Sequence, residues 1–271
     1  MRPRRRSGSG CLNVRLLIAL GLAAFAVFSF LGSKIYNPVT GEEQYINITA
    51  EQEIALGLQA APQMAQQFGG LHGSAEAQEI VDLVGETLVL SSVAANSEYP
   101  FEFHLLADES TVNAFALPGG QVFITAGLFG RLDTLDQLAG VLSHEIVHVI
   151  GRHGAERIAK EQLTQGLTGA VVLATYDPDD PGSQGTAQVA LLVGQLINMN
   201  FGRADEIESD VLGVCLMLDA GYDPQEMIAV MRILDEATAG GRPPEFLSTH
   251  PDPGNRIARI KQSIADPSYC P

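Results

Sequence analysis

The sequence predicts an α+β fold, mainly helical, with one small antiparallel sheet and a single apolar segment at its N-terminus. Three observations carry this reading. Helix-start signals recur ahead of apolar residues at helical spacing, short alternating segments are confined to residues 101–125, and one uncharged run opens the chain. With 271 residues, 46% of them hydrophobic, the chain can bury a core of its own.

Arg2, Arg4, Arg5, Arg6 and Arg15 precede an uncharged run of 17 residues from Leu16 to Gly32, just long enough to cross a bilayer. The basic residues crowd its front, so the positive-inside rule puts the N-terminus in the cytoplasm and the rest of the chain across the membrane. A cleaved signal peptide is the alternative, with small residues near Ala24, Ala26 or Ser33 as cleavage sites. The expected location is therefore a single-pass cell-membrane protein with its body extracytoplasmic, in the periplasm, or a secreted or periplasmic protein if the segment is removed. Residues 1–34 hold six of the sixteen Lys and Arg and no acid, which leaves ten bases against all 32 acids in the body. Such a field repels phosphate backbones and argues against nucleic acid as a partner.

Along the chain, Ser33 to Ile48 carries the turn signals Asn37-Pro38 and Thr40-Gly41 and reads as a tether. Thr49-Ala50-Glu51-Gln52 has the form of a capping box and opens a helix toward Gly69-Gly70. A second helix is expected from Ser74 to about Leu90, with Ile80, Leu83, Val84 and Leu88 on one side. Phe101 to Leu105 alternates, and Val112 to Leu117 and Gln121 to Thr125 flank Pro118-Gly119-Gly120 as the arms of a hairpin. Thr134 to Gln137 is another capping box, opening a helix through Leu138, Val141 and Leu142 into His144 and His148. Between Leu163 and Phe201, two apolar segments too short to span a membrane flank an acidic loop, Asp177 to Gly182, and read as buried or lid helices. A helix from about Ala204 to Ala220 stops at Gly221, and Asp223-Pro224-Gln225-Glu226 starts the next. The expected division is 1–34 basic tail and membrane segment, 35–48 tether and 49–271 one compact domain.

His144-Glu145-Ile146-Val147-His148 is the chemical centre of the sequence. Two imidazoles at i and i+4 of a helix can bind one zinc ion while the glutamate between them faces its water. Three cysteines and no Cys-x-x-Cys pair leave His and carboxylates as the only metal donors. A catalytic zinc usually takes three protein ligands, so a third donor is needed. The metzincin spacing places Gly151 correctly but puts Gly154 where its histidine belongs. His153 is one residue short and reads as a helix-end histidine near the negative dipole end. The other route is Glu206 and Asp210, which share one helix face: Glu206 can ligate the metal while Asp210 accepts the far N–H of a ligand imidazole. Glu208 faces elsewhere, and a solvated acidic face is the plain alternative for the whole group.

Four elements recur in a fixed order: Asn113-Ala114-Phe115-Ala116-Leu117-Pro118-Gly119-Gly120, the motif at 144–148, Arg203 with Glu206 and Asp210, and His250-Pro251-Asp252-Pro253-Gly254-Asn255-Arg256. With them the chain, over about residues 49–265, resembles the gluzincin metallopeptidase family that includes HtpX, the periplasmic BepA and the CAAX prenyl proteases. The resemblance implies a zincin-like domain with one Zn2+ per chain on His144, His148 and Glu206, and Glu145 as general base. It makes Asp210 and Arg256 outer supports, and Asn113, Ala114, Phe115 and Ala116 part of an edge that receives an extended polypeptide. It also brings His250 close to the metal, with Arg256 helping to hold it. There His250 is a candidate catalytic group, filling the fourth metal position at rest or donating to the oxyanion. HtpX and the prenyl proteases are polytopic, so the single segment here favours an exported, BepA-like protein; no tetratricopeptide array follows Arg256, so docking by such repeats is not expected. The implied activity is zinc-dependent hydrolysis of unfolded or misassembled extracytoplasmic proteins. The alternative is an envelope assembly factor or chaperone of the same fold with weak or latent proteolysis. Cys215 and Cys270 can bridge in an oxidising compartment.

Overall fold

The computed structural model describes residues 9–175, 202–238, 244–250 and 254–270. The acidic loop Asp177 to Gly182 and the Pro251–Pro253 part of the histidine-proline segment lie outside them. The chain divides into two compact units. The first gathers Met1–Ile35, Glu43–Asn47 and Glu156–Met199. It contains helix α1 (Ser9–Leu31), within which Val14–Leu31 is long and apolar enough to cross a membrane. Phe30 stacks on Tyr45 at 4.4 Å, and Gly166 lets the backbone come so close that a Cβ there would sit 2.7 Å from that of Ala26.

The stretch expected as a plain tether forms a small two-stranded sheet, β1 (Lys34–Tyr36) and β2 (Glu43–Tyr45). Asn37 Oδ1 accepts from Val39 N, and Gly41 takes a positive φ of 74°, so the turn signals close a hairpin; arms of three residues are too short to show alternation in sequence.

In the second unit, α2 (Ala50–Gln67) starts on the expected capping box: Thr49 Oγ1 accepts from Gln52 N, and Gln52 Oε1 accepts from Thr49 N. The buried face of α3 (Ala75–Ser91) is Val81, Val84, Gly85 and Leu88, whereas Leu83 is exposed. The face is rotated from expectation because Gly85 receives the Phe103 ring, where a Cβ would come within 2.5 Å.

The three-stranded sheet runs in the order β3 (Glu102–Leu106), β5 (Gln121–Thr125), β4 (Ala114–Ala116). The β4–β5 hairpin is antiparallel as expected, but β3 pairs with β5 in parallel, Phe103 opposite Val122, so the sheet is mixed. All five residues of β5 are buried, so its backbone groups need partners on both sides. The more exposed β3 and the short β4 take the flanks.

Helix α4 (Ala126–Phe129) follows β5, and α5 (Leu135–Ile150) then runs through the core, buried at every position from Gln137 to Ile150. Full burial of Leu138, Leu142 and Ile146 contributes about 1.5–3 kcal/mol each. Beyond α6 (His153–Thr175), α7 (Arg203–Ala220) packs along α5 and ends at Gly221 in the left-handed conformation, φ 80°. Gly213 permits the approach: a Cβ there would lie 3.2 Å from Ser143 Oγ and 3.5 Å from His144 N. The remaining α-helices among the described residues are α8 (Glu226–Thr238), α9 (Glu245–Thr249) and α10 (Arg256–Ala265). Cys215 of α7 and Cys270 form a disulfide.

Candidate metal centre

One turn of α5 separates His144 from His148 and brings their Nε2 atoms to 3.1 Å. Glu206, on the first turns of α7, places Oε2 3.5 Å from His144 Nε2 and Oε1 3.4 Å from His148 Nε2. His250 follows α9 and turns Nδ1 inward, 3.3 Å from His144 Nε2 and 3.1 Å from Glu206 Oε1. These four donors all lie within 4.8 Å of one another, and all are buried. Two imidazole nitrogens on a tetrahedral zinc, each about 2.0–2.1 Å from it, stand about 3.3 Å apart. The spacing and the donor set of imidazoles plus a carboxylate therefore fit zinc. A further sign is Glu145, fully buried, whose two carboxylate oxygens accept no hydrogen bond among the described residues. Oε1 lies 3.6 Å from His250 Nε2, beyond hydrogen-bond reach, and a buried carboxylate without hydrogen bonds is the kind of group that a bound water or ion satisfies.

The supports behind the donors follow the expected i, i+4 face of α7. Asp210 Oδ1 lies 3.0 Å from His144 Nδ1. Arg256, expected to help hold His250, grips Asp210 with two bonds of 2.7 Å and reaches Glu206 Oε2 at 3.2 Å. His250 is steadied by Phe246: the rings stack at 4.4 Å, and His250 N donates to Phe246 O at 2.8 Å. Glu206 and Asp210 are completely buried, which disposes of the solvated-face alternative.

The electrostatics separate the carboxylates. Burial opposes ionisation of Glu206, but hydrogen bonds from His144, His148 and His250 prevail and hold it well below the usual range. Burial likewise opposes ionisation of Asp210, and the Arg256 guanidinium lowers it nonetheless. Glu145 is raised, chiefly by burial. Among the imidazoles, burial opposes protonation of His144, yet hydrogen bonds to Asp210 and Glu206 push it up to about 9. Burial drives His148 well below the ordinary histidine value.

The other residues singled out in the sequence take their places around this centre. Ala114 to Ala116 form the flank strand β4, which packs against α5. The Phe115 ring points inward, against Phe123 at 4.9 Å and Phe68 at 5.4 Å, and Asn113 is buried with an Oδ1 that accepts no hydrogen bond among the described residues. His104 stacks on Phe123, and His72 Nδ1 accepts from Ser74 N. His153 departs from expectation: it opens α6, is 1% exposed, and sits with Nδ1 2.9 Å from His148 Nδ1. Its spacing of five from His148 fits no helical face, and the chain break between α5 and α6 that makes the contact carries no periodic signal.

The pattern of Peptidase family M48 matches residues 75–264, a span that includes every donor and support named above. The chain belongs to peptidase family M48. Members of this family are zinc metallopeptidases, in agreement with the donor set. Among its M48 relatives, the chain is 35% identical over 191 residues to the Beta-barrel assembly-enhancing protease of Escherichia coli (strain K12), covering 66% of this chain and 37% of that protein. It is 33% identical over 224 residues to the Putative beta-barrel assembly-enhancing protease of Vibrio cholerae, covering 79% and 44%. To the Mitochondrial metalloendopeptidase OMA1 of Schizosaccharomyces pombe it is 30% identical over 234 residues, covering 85% and 66%. It thus spans between about a third and two thirds of the length of these relatives.

Proposed function

We propose that this chain is a zinc-dependent endopeptidase that cleaves unfolded or misassembled extracytoplasmic proteins. The observation that carries the reading is the buried Glu145 carboxylate, which accepts no hydrogen bond among the described residues and lies 3.6 Å from His250 Nε2, set beside three convergent donors, His144, His148 and Glu206. Zinc held there supplies Lewis acidity toward a carbonyl oxygen and toward water. Glu145 takes the water's proton on a carboxylate oxygen and passes it to the leaving amine, and its raised affinity for protons suits both halves of that exchange. Asp210 fixes the His144 tautomer through Nδ1, and Arg256 keeps Asp210 ionised.

The polypeptide enters along β4. Thr125 N donates to Asn113 O and Leu117 N donates to Gln121 O, so by antiparallel alternation residues 113, 115 and 117 direct their backbone groups at β5. Ala114 and Ala116 therefore direct theirs to the open flank, where an extended peptide adds as a strand with little demand on its side chains.

The described site is closed. His250 Nδ1 stands among the donors, and α9 is tied to the approach of β4 by Phe246 N donating to Val112 O. This favours His250 as a resting fourth ligand over an oxyanion donor, with α9 lifting to admit substrate. The N-terminal α1 anchors the chain with its arginines in the cytoplasm, residues 35–48 connect it, and 49–271 form the peptidase domain outside. The partners are polypeptides and the membrane, not nucleic acid.

Casein digestion by purified protein, with and without a chelator, tests the proposal: the expected result is cleavage that the chelator abolishes. The buried donors also favour a second reading, an assembly factor or chaperone with latent proteolysis. Intact casein in both arms, with suppression of client aggregation retained by Glu145→Gln, would select it.

A further inference from the structure

We propose that His153 and Glu208 are positioning residues for His148, joined to it in a directed chain of hydrogen bonds that ends on a carboxylate of α7. The proposal rests on the reading of His148 as a zinc ligand. A histidine that gives Nε2 to a metal carries its proton on Nδ1 and must donate it. His153 Nδ1 lies in reach of that proton, at 2.9 Å. An imidazole that accepts on Nδ1 carries its own proton on Nε2, and His153 Nε2 lies 3.2 Å from Glu208 Oε2. Ser209 Oγ, at 3.4 Å, is a more distant neighbour of the same Nδ1.

Each step has only one direction. His144 reaches Asp210 directly, whereas His148 reaches Glu208 through one intervening ring. Glu208 sits two residues before Asp210 on a different face of α7, and the ring bridges that difference.

Two features of the α5–α6 break serve this placement. Arg152 adopts φ 57°, in the left-handed region that a side chain other than glycine rarely takes. It is held there by Nε donating to Glu53 Oε1 at 2.8 Å and Nη2 donating to Ile48 O at 2.9 Å, and this unfavourable turn folds His153 back onto His148. Gly151 clears the space: a Cβ there would lie 2.7 Å from His153 Nε2 and 2.9 Å from its Cε1. The glycine that resembles a metzincin landmark in the sequence thus makes room for an outer histidine.

Zinc affinity, measured by chelator competition on the full chain, tests the relay in wild type, Glu208→Ala, His153→Phe and the double variant. His153→Phe is expected to weaken zinc binding by about 10–100-fold and Glu208→Ala by about tenfold, the usual range for outer supports. The double variant should be no weaker than His153→Phe alone, because Glu208 acts only through the ring. Glu208 is partly exposed, so its variant folds even if the His153 variant does not. Imidazole 15N NMR of the zinc-loaded wild type gives a second readout, with His148 protonated on Nδ1 and His153 on Nε2. A His153 protonated on Nδ1, effects below about twofold, or full multiplication of the two effects overturns the relay while zinc binding stands. A wild type that takes up no zinc overturns the zinc reading and removes the relay with it.

Discussion

At the scale of the residue, Glu145 has the sharpest consequence. Glu145→Gln keeps the shape of the side chain but not its basicity, so zinc content should stay at one per chain while casein hydrolysis falls by about 100–10,000-fold. Undiminished cleavage would remove Glu145 as the base. Glu145 also sets an acid limb. Burial raises it in the metal-free protein, and zinc beside it works the other way, so activity is lost as pH falls through the Glu145 midpoint of the zinc-loaded protein, which should lie below that of the metal-free one. Zinc affinity should depend on pH through His144. In the metal-free protein its protonated form persists to about 9, and the metal competes with that proton. The apparent affinity should therefore climb by about tenfold per pH unit from 6 toward 9, and a flat titration would contradict it. The motif residues were legible because i, i+4 spacing on one helix is a local property, and the same rule exposed Glu206 and Asp210. His153 was not, since its contact depends on a left-handed residue at 152 and on a glycine clearance that only the folded chain displays.

At the scale of the element, α7 must lie close to α5 for Glu206 to meet the histidines. Gly213→Val would drive methyl groups against Ser143 and Met227, so we expect a stability loss of about 1–3 kcal/mol together with weaker zinc binding. Denaturant titration and zinc competition measure the two effects; a variant with wild-type values in both would show that α7 has slack. The exposed flank of β4 makes a different demand. Ala116→Pro removes an outward N–H while sparing the ladder to β5, so KM for casein should rise with zinc content unchanged. Phe115→Pro, whose N–H faces β5, should instead unfold the hairpin. The hairpin itself was legible from Pro118-Gly119-Gly120. Its parallel partner was not, because the choice of β3 as neighbour follows from burial of β5 on both sides, a tertiary circumstance.

At the scale of the whole molecule, the arginines before α1 and the acidic body should leave the peptidase domain outside the inner membrane. Digestion of intact spheroplasts by added protease checks this, and a domain protected until lysis would reverse the topology. The disulfide accords with an oxidising compartment. On the proposed lifting of α9 its effect is mechanical. Cys215 and Cys270, 55 residues apart, close a covalent ring, and His250, Phe246 and Arg256 all lie inside it. A flap within a ring lifts with both feet fixed. It can never swing as a free tail, so each opening recovers little chain entropy and reclosure stays rapid. Redox state would then set how long the flap remains raised, and the oxidised protein would be the more tightly latched.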